Sequence, residues 1–395
     1  MNRSASATIP VSWPALALIL LWTGGSFSGA DRTVRGLSDL SLEVAAVSVV
    51  RTLVLAIGAI EGSASVELSE VPPPFVLPDG KIVVPLASEG KIRVFDRDGG
   101  MQASYGGSGE GPGEFRYLTN AWARGDTIEA FDSEVSRITR FAPDGTVETI
   151  KLDISRLSRV PHSAVPGAFG QGWVLMGVTG FDRSGRDEVS VFHFLRDGQF
   201  QGVITRVGGI LRDPRGIGPV PLSPSAYLEI KGDELFVGET LTPRIRTFDP
   251  AGLDGTAVSW TPGPVSPGKA IREVTRIAVD RAEPANRQRL RDRLSETPKP
   301  DVVPVFSSFL LDESGFIWIR PYEVARDAAV LGGALYLERP AGGEWRVFHS
   351  NGEEVGSIAI PEGFAPSQVT SAEVLGVWKD EFDVEYVRIH RVHRR

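Results

Sequence analysis

Short apolar runs recur along the chain, and each is entered through a turn. They are Ile82-Val83-Val84 after Asp79-Gly80-Lys81, Ile128-Glu129-Ala130 after Gly125-Asp126-Thr127, and Trp173-Val174-Leu175-Met176 after Gln171-Gly172. The later copies are Leu235-Phe236-Val237 after Gly232-Asp233-Glu234, Phe316-Ile317-Trp318-Ile319 after Ser314-Gly315, and Val374 to Trp378 after Glu373. Apolar runs this short, bounded by turn residues, predict buried strands rather than helices. A second signature follows most of them: a strand ending in an aromatic, then a turn closed by glycine. Its copies are Val94-Phe95 to Gly99, Arg140-Phe141 to Gly145, Phe194 to Gly198, Thr247-Phe248 to Gly252, and Val347-Phe348 to Gly352. Asp-Gly and Asn-Gly suit hairpin turns because both residues tolerate positive φ. A sixth strand, Tyr386 to Val392, has no turn after it.

Each unit thus supplies four antiparallel strands, and six units with a period of about 50 residues predict an all-β, six-bladed β-propeller. The last unit has only three strands. Leu53–Ile57 is expected to supply the missing outer strand, so that the two ends of the propeller region share one blade and no sheet edge is left open. The propeller is expected over residues 51–395. One stretch breaks the pattern: between Trp260 and Phe306 the strand signal vanishes, and Ile271, Val274, Ile277 and Ala278, then Leu290 and Leu294, follow helical spacing. A helical insertion is expected over 264–303, emerging on one face as a solvated helix pair or a lid. From Lys269 to Lys299 it carries nine Lys/Arg against five Asp/Glu.

Residues 1–30 read as a secretory signal. Arg3 is the one charge ahead of Pro14–Trp22, an apolar run of about ten residues, and small residues end at Ser28-Gly29-Ala30. Cleavage before Asp31 places the mature chain in the periplasm or outside the cell, with a retained signal anchor as the alternative. A linker is expected over 31–50. The apolar stretch Val44–Ile60 is interrupted by Arg51, which argues for a strand and against a second span.

Composition narrows the functional classes. Hydrophobic residues make up 42% and charged residues 23%, values of a folded domain. The formal net charge of −8 opposes nucleic-acid binding. The chain has no Cys, so it has no disulfide, thiolate zinc site or cysteine nucleophile. No G-x-S-x-G elbow and no H-E-x-x-H is present, and His162, His193, His349, His390 and His393 are scattered. Asp96-Arg97-Asp98-Gly99 starts like a calcium loop, but Gly107 stands where such a loop needs its Glu. The glycines at 106–113 lack the Gly-Lys-Ser/Thr of a phosphate-binding loop and read as a connection between blades, with Phe115 packing between them.

That same segment, Tyr105-Gly106-Gly107-Ser108-Gly109-Glu110-Gly111-Pro112-Gly113-Glu114-Phe115, resembles the G-x-G-E-G-P-G-E-F loop of bacterial six-bladed propellers of the NHL-repeat and TolB-like type. It follows an F-D-x-x-G strand end, as it does in that family. Ile57-Gly58, Glu61-Gly62 and Leu68-Ser69-Glu70-Val71 look like the family's lead-in to its first blade. The resemblance spans roughly residues 50–395 and implies the propeller fold. Such folds include amidating lyases with histidine-held zinc, lactonases, RNA-binding modules and inactive scaffolds, so fold does not choose a function.

In a propeller, the loops between blades and the loops between second and third strands share one face. That face is expected to collect Glu110, Glu114, Arg116, Asp132, Glu134, Glu239, Arg320 and Tyr322 as candidate ligand-binding residues around the channel mouth. No catalytic residue is assigned. Two readings stay open: an extracytoplasmic binding module for a protein or small-molecule ligand, or a metal-dependent hydrolase, lactonase-like enzyme or lyase. In the second, the carboxylates are candidates for holding Ca²⁺, as in lactonase-type propellers. No other cofactor is evident. The expected state is a monomer without nucleic acid and without a membrane span in the mature form.

Overall fold

A computed structural model describes residues 47–58, 67–155, 157, 167–213, 220–328 and 342–394. The signal expected over 1–30, most of the linker, Glu61-Gly62 and His162 lie outside the described residues. Six four-stranded antiparallel sheets form a ring. Strand β1 (Val47–Ile57) comes first in the chain but belongs to the last sheet. Blade 1 holds β2 (Phe75–Val76), β3 (Ile82–Leu86), β4 (Lys91–Phe95) and β5 (Met101–Gly106). Blade 2 holds β6 (Leu118–Arg124), β7 (Thr127–Asp132), β8 (Arg137–Phe141) and β9 (Val147–Lys151). Blade 3 holds β10 (Gly167–Phe169), β11 (Gly172–Phe181), β12 (Arg186–Phe194) and β13 (Phe200–Leu211). Blade 4 holds β14 (Ala226–Lys231), β15 (Glu234–Glu239), β16 (Arg244–Phe248) and β17 (Asp254–Ser259). Two helices follow, α1 (Pro267–Arg281) and α2 (Arg287–Glu296). Blade 5 holds β18 (Phe306–Leu311), β19 (Ile317–Pro321), the short α3 (Val324–Asp327), β20 (Gly343–Phe348) and β21 (Glu354–Ile360). Blade 6 is β22 (Phe364–Val369), β23 (Glu373–Lys379), β24 (Glu385–Arg394) and, outermost, β1.

The six expected turn-entered runs are the second strands of the six blades, and the five aromatic strand ends are their third strands. The closing strand is where the sequence places it but longer. It starts at Val47, inside the stretch expected as linker, and pairs with β24 from Val47 opposite Arg394 to Ile57 opposite Val387.

The core is a set of apolar layers between neighbouring blades. At the seam, Ile57 from β1 packs with Val387, Ile389 and Leu375 of blade 6 against Ile82, Val84 and Phe95 of blade 1. Polar bonds tie the same seam: the Val76 N–H donates to Gln368 Oε1 at 2.8 Å, and Ser367 Oγ donates to the Pro74 carbonyl at 2.7 Å. Between blades 2 and 3 the link is a buried charge. Glu129 Oε2 accepts both the Trp122 and Trp173 indole N–H groups at 2.8 Å, and Glu129 Oε1 pairs with Arg124 and Arg140. The large indoles bury their rings because this one carboxylate satisfies both donors.

The insertion is docked, not detached. Ala270, Val274 and Ala278 share one face of α1 and pack with Leu294 of α2 onto Leu222, Val303 and Ala328 of the rim. Pro267 opens α1, where its missing N–H costs nothing.

His390 of β24 is buried edge-on to Phe364 at 4.7 Å, and neither ring nitrogen has a partner among the described residues. Burial, and then the nearby Arg388 charge, push its pKa down; burial does the same at His193. The unfolded chain takes up a proton near pH ~6.5 while the folded chain resists, so protons favour the unfolded state in that window. Stability is therefore expected to fall as pH drops below about 6.5, and His390→Phe to remove part of that slope, His193 keeping the rest. Urea midpoints from pH 7.5 to 5 check this; parallel curves for both proteins contradict it. At the seam, Ile57→Ala is expected to cost about 2–4 kcal/mol and to lower the single unfolding transition of the whole ring, as buried truncations do. A loss under about 0.5 kcal/mol, the range of a surface change, shows that β1 is not integral to the ring.

Candidate functional site

Antiparallel blades give the ring two unlike faces. On one face the hairpins are short and close on glycines held at positive φ, such as Gly99 at 84° and Gly145 at 85°. The other face carries every long excursion: the glycine-rich β5–β6 loop, the α1–α2 insertion, α3, and a tall β11–β12 hairpin. Blade 3 makes that hairpin because its last three strands run 10, 9 and 12 residues. The strongly exposed aromatic side chains among the described residues all lie on this elaborated face. Tyr117 ends the β5–β6 loop and is 48% exposed, Phe181 ends β11 at 53%, and Phe382 tips the β23–β24 turn at 74%.

The eight sequence-predicted residues fall into three groups on this face. The first group is the β5–β6 loop with the β7–β8 turn. The glycines of the loop let the chain wrap closely around Glu114. Its Oε2 accepts the Gly111 N–H at 2.8 Å, and a Cβ on Gly109 would overlap that oxygen at 2.1 Å. Gly106, at φ 89°, passes so near the Gly90 carbonyl that a Cβ would stand 2.5 Å from it. Phe115 is buried between blades 1 and 2, as expected.

Asp132 sits fully buried at the end of β7 and anchors this loop from inside. It accepts the backbone N–H groups of Arg116 (2.8 Å), Tyr117 (3.2 Å), Glu134 (3.1 Å) and Val135 (3.4 Å). Arg137 lies 3.6 Å from the same carboxylate and donates to the carbonyls of Glu110 and Glu114. Above this, Arg116 bridges Glu110 and Glu134 at the surface, and those two carboxylates keep its pKa raised.

Glu239, at the end of β15, forms the second group: it pairs with Arg186 of the blade 3 hairpin at 3.1 Å. Arg320 and Tyr322 form the third, beneath the insertion. Arg320 is 2% exposed and donates to the Gly342 carbonyl (2.9 Å), to Ser307 Oγ and to Asp327. Burial raises the Asp327 carboxyl, and the Arg320 charge opposes that shift. Tyr322 packs against the apolar cluster of α1. The carboxylates are thus dispersed and engaged, and among the described residues no three metal-ligating side chains converge. The sequence reading missed the exposed aromatics and the blade 3 hairpin. The ten-residue stretch Gly172–Phe181, which meets no turn signal before Asp182-Arg183-Ser184-Gly185, was the available signal for the hairpin.

No sequence-family profile and no curated protein matches this chain. Solved structures do match. A member of the DUF4221 family from Bacteroides vulgatus aligns with a TM-score of 0.51 at 10% identity, over 89% of this chain and 99% of that one. A protein of unknown function from Bacteroides thetaiotaomicron aligns at 0.43 and 10%, over 88% and 76%. A catalytically inactive virginiamycin B lyase from Staphylococcus aureus, solved with quinupristin, aligns at 0.41 and 11%, over 82% and 97%. At these identities the likeness is one of fold. The chain is a six-bladed β-propeller.

Asp132→Ala is expected to strip buried backbone donors of their acceptor and to cost about 2–4 kcal/mol. It should also expose the 107–117 loop to limited proteolysis. Glu134→Ala, at the surface, should stay within about 0.5 kcal/mol of the parent. Equal stability of the two variants contradicts the internal role given to Asp132.

Proposed function

We propose that the protein is an extracytoplasmic binding module of the NHL-repeat or TolB-like kind, monomeric and without catalysis of its own, that takes a protein partner on its elaborated face. One observation carries the reading: the exposed aromatic residues Tyr117, Phe181 and Phe382 stand on the face that also bears the insertion and the tall hairpin. Large aromatic side chains are over-represented at protein interfaces and anchor them, because each buries much area at small entropic cost. The Glu110–Arg116–Glu134 cluster beside Tyr117 supplies a charged rim. Loops on a rigid scaffold are the usual carriers of such sites. The apolar segment at Pro14–Trp22 supports delivery outside the cytoplasm, and no helix among the described residues is long and apolar enough to cross a membrane. The competing calcium-dependent lactonase-like reading needs converging free carboxylates. Glu110, Glu114, Asp132, Glu134 and Glu239 are instead engaged by arginines or backbone N–H groups.

Replacing Tyr117, Phe181 and Phe382 together by alanine is expected to leave the melting temperature within about 2 °C, since exposed side chains hold little stability. The same triple variant should weaken retention of the protein's partners from an extracytoplasmic extract by tenfold or more, about 1.4 kcal/mol. Unchanged retention overturns the assigned face. A saturable, calcium-specific rise in melting temperature of the unaltered protein favours the enzyme reading instead.

A further inference from the structure

Every blade carries a buried or half-buried arginine on its third strand, and in blades 1 to 5 a carboxylate holds it. Arg93 pairs with Glu89 at 2.7 Å and Arg186 with Glu239 at 3.1 Å. In blades 2, 4 and 5 the carboxylate comes from the outermost strand: Glu148 holds Arg140, Asp254 holds Arg246 and Glu354 holds Arg346, each at 2.5 Å. Blade 6 departs from this pattern. Its half-buried arginine, Arg388, stands directly opposite Ala56 of β1, a small exposed residue. Among the described residues no carboxylate pairs with Arg388, and its buried Nε has no acceptor.

The Arg388 guanidinium is nevertheless held in place. It lies over the Trp378 indole, 3.4 Å from the ring centroid, with the Tyr386 ring at 5.5 Å. Those two rings are 5.4 Å apart, and the Trp378 indole N–H donates to the Glu362 carbonyl at 3.1 Å. The Tyr386 hydroxyl reaches Asp380 at 3.5 Å, and the same carboxylate accepts the Phe382 and Val384 N–H groups at 2.9 Å. The aromatic platform thus runs on into the turn that raises Phe382 on the elaborated face. Burial pulls the Arg388 pKa down, against the pull of Tyr386 and Asp380, whereas Glu354 pushes that of Arg346 up. An arginine stays charged at neutral pH all the same, and a partly desolvated charge without a counter-ion is costly. Stacking on the rings offsets part of that cost and fixes the plane of the fork. A guanidinium only donates, and its fork matches the two oxygens of a carboxylate.

We propose that Arg388, seated on Trp378 and Tyr386, receives an acidic side chain of the protein partner, in the role that Glu148, Asp254 and Glu354 fill within their own blades. The inference rests on the partner-binding reading and names the chemistry met at blade 6. The test uses the full chain in two stages. In the first, sodium acetate is compared with sodium chloride of equal ionic strength, and the NMR shift of the Trp378 indole N–H is read. Acetate is expected to move that resonance saturably, and chloride is not. Ala56→Glu supplies the carboxylate from β1 itself, so it should melt at or above the parent and abolish the acetate shift. Arg388→Gln should need at least about tenfold more acetate, the loss of one charge-assisted contact. In the second stage, Ala56→Glu and Arg388→Gln should each weaken retention of partners from an extracytoplasmic extract by about tenfold. The triple alanine variant of Tyr117, Phe181 and Phe382 should lose partners yet keep the acetate shift. If that triple variant retains partners like the parent, the assigned face falls and this proposal with it. If it loses them while Ala56→Glu and Arg388→Gln retain them fully, this proposal alone falls. It is also overturned if acetate does no more than chloride, or if Ala56→Glu responds to acetate like the parent.

Discussion

The pairing of β1 with β24 is the constraint on which the rest depends. Without it, blade 6 would be a three-stranded sheet ending in a long unpaired strand, and such edges recruit other chains. With it, residues 47–57 are held against residues 385–394, and the first and last parts of the propeller cannot separate without breaking a sheet. Each blade touches only its neighbours, so a ring of quasi-repeats gains cooperativity when its seam is as well packed as its other joints. The seam qualifies: it has its own apolar layer around Ile57, Ile82 and Ile389, and side-chain bonds from Ser367 and Gln368 reach across to blade 1.

A closed ring leaves only the two faces free to vary. One face is trimmed to glycine turns. The other accumulates the insertion, the tall hairpin of blade 3 and the glycine-rich loop, and among the described residues the strongly exposed aromatics stand on it. Its charges serve two purposes. Asp132 and Arg137 work inward, fixing loop backbone, while Glu110, Arg116 and Glu134 meet solvent. Beneath the insertion, Arg320 is buried against Asp327 and Tyr322 packs on the apolar cluster of α1.

The fold was readable because each blade repeats two local signals with a direct physical cause. Apolar runs such as Trp173–Met176 have nowhere to go except between sheets, and Asp-Gly turns such as Asp144-Gly145 bend the chain back after an aromatic strand end. The closing strand was readable for the complementary reason that one unit was a strand short. The site was less readable. Asp132 and Glu134 look alike in sequence, yet one is sealed under four backbone N–H groups and the other is exposed, and only the path of the loop decides which. Arg320 and Tyr322 were chosen for lying past a second strand. Tyr322 is covered by the apolar cluster of α1 and Arg320 is enclosed by Ser307, Asp327 and Gly342, tertiary contacts that no local pattern announces.

Hydrogen exchange along β24 tests ring closure most directly. Amides of residues 387–392 that point toward β1 are predicted to exchange as slowly as those pointing toward β23, because both sides of the strand are paired. Fast exchange confined to the β1 side, as at an open sheet edge, would contradict closure and with it the geometry that gives the two faces their separate characters.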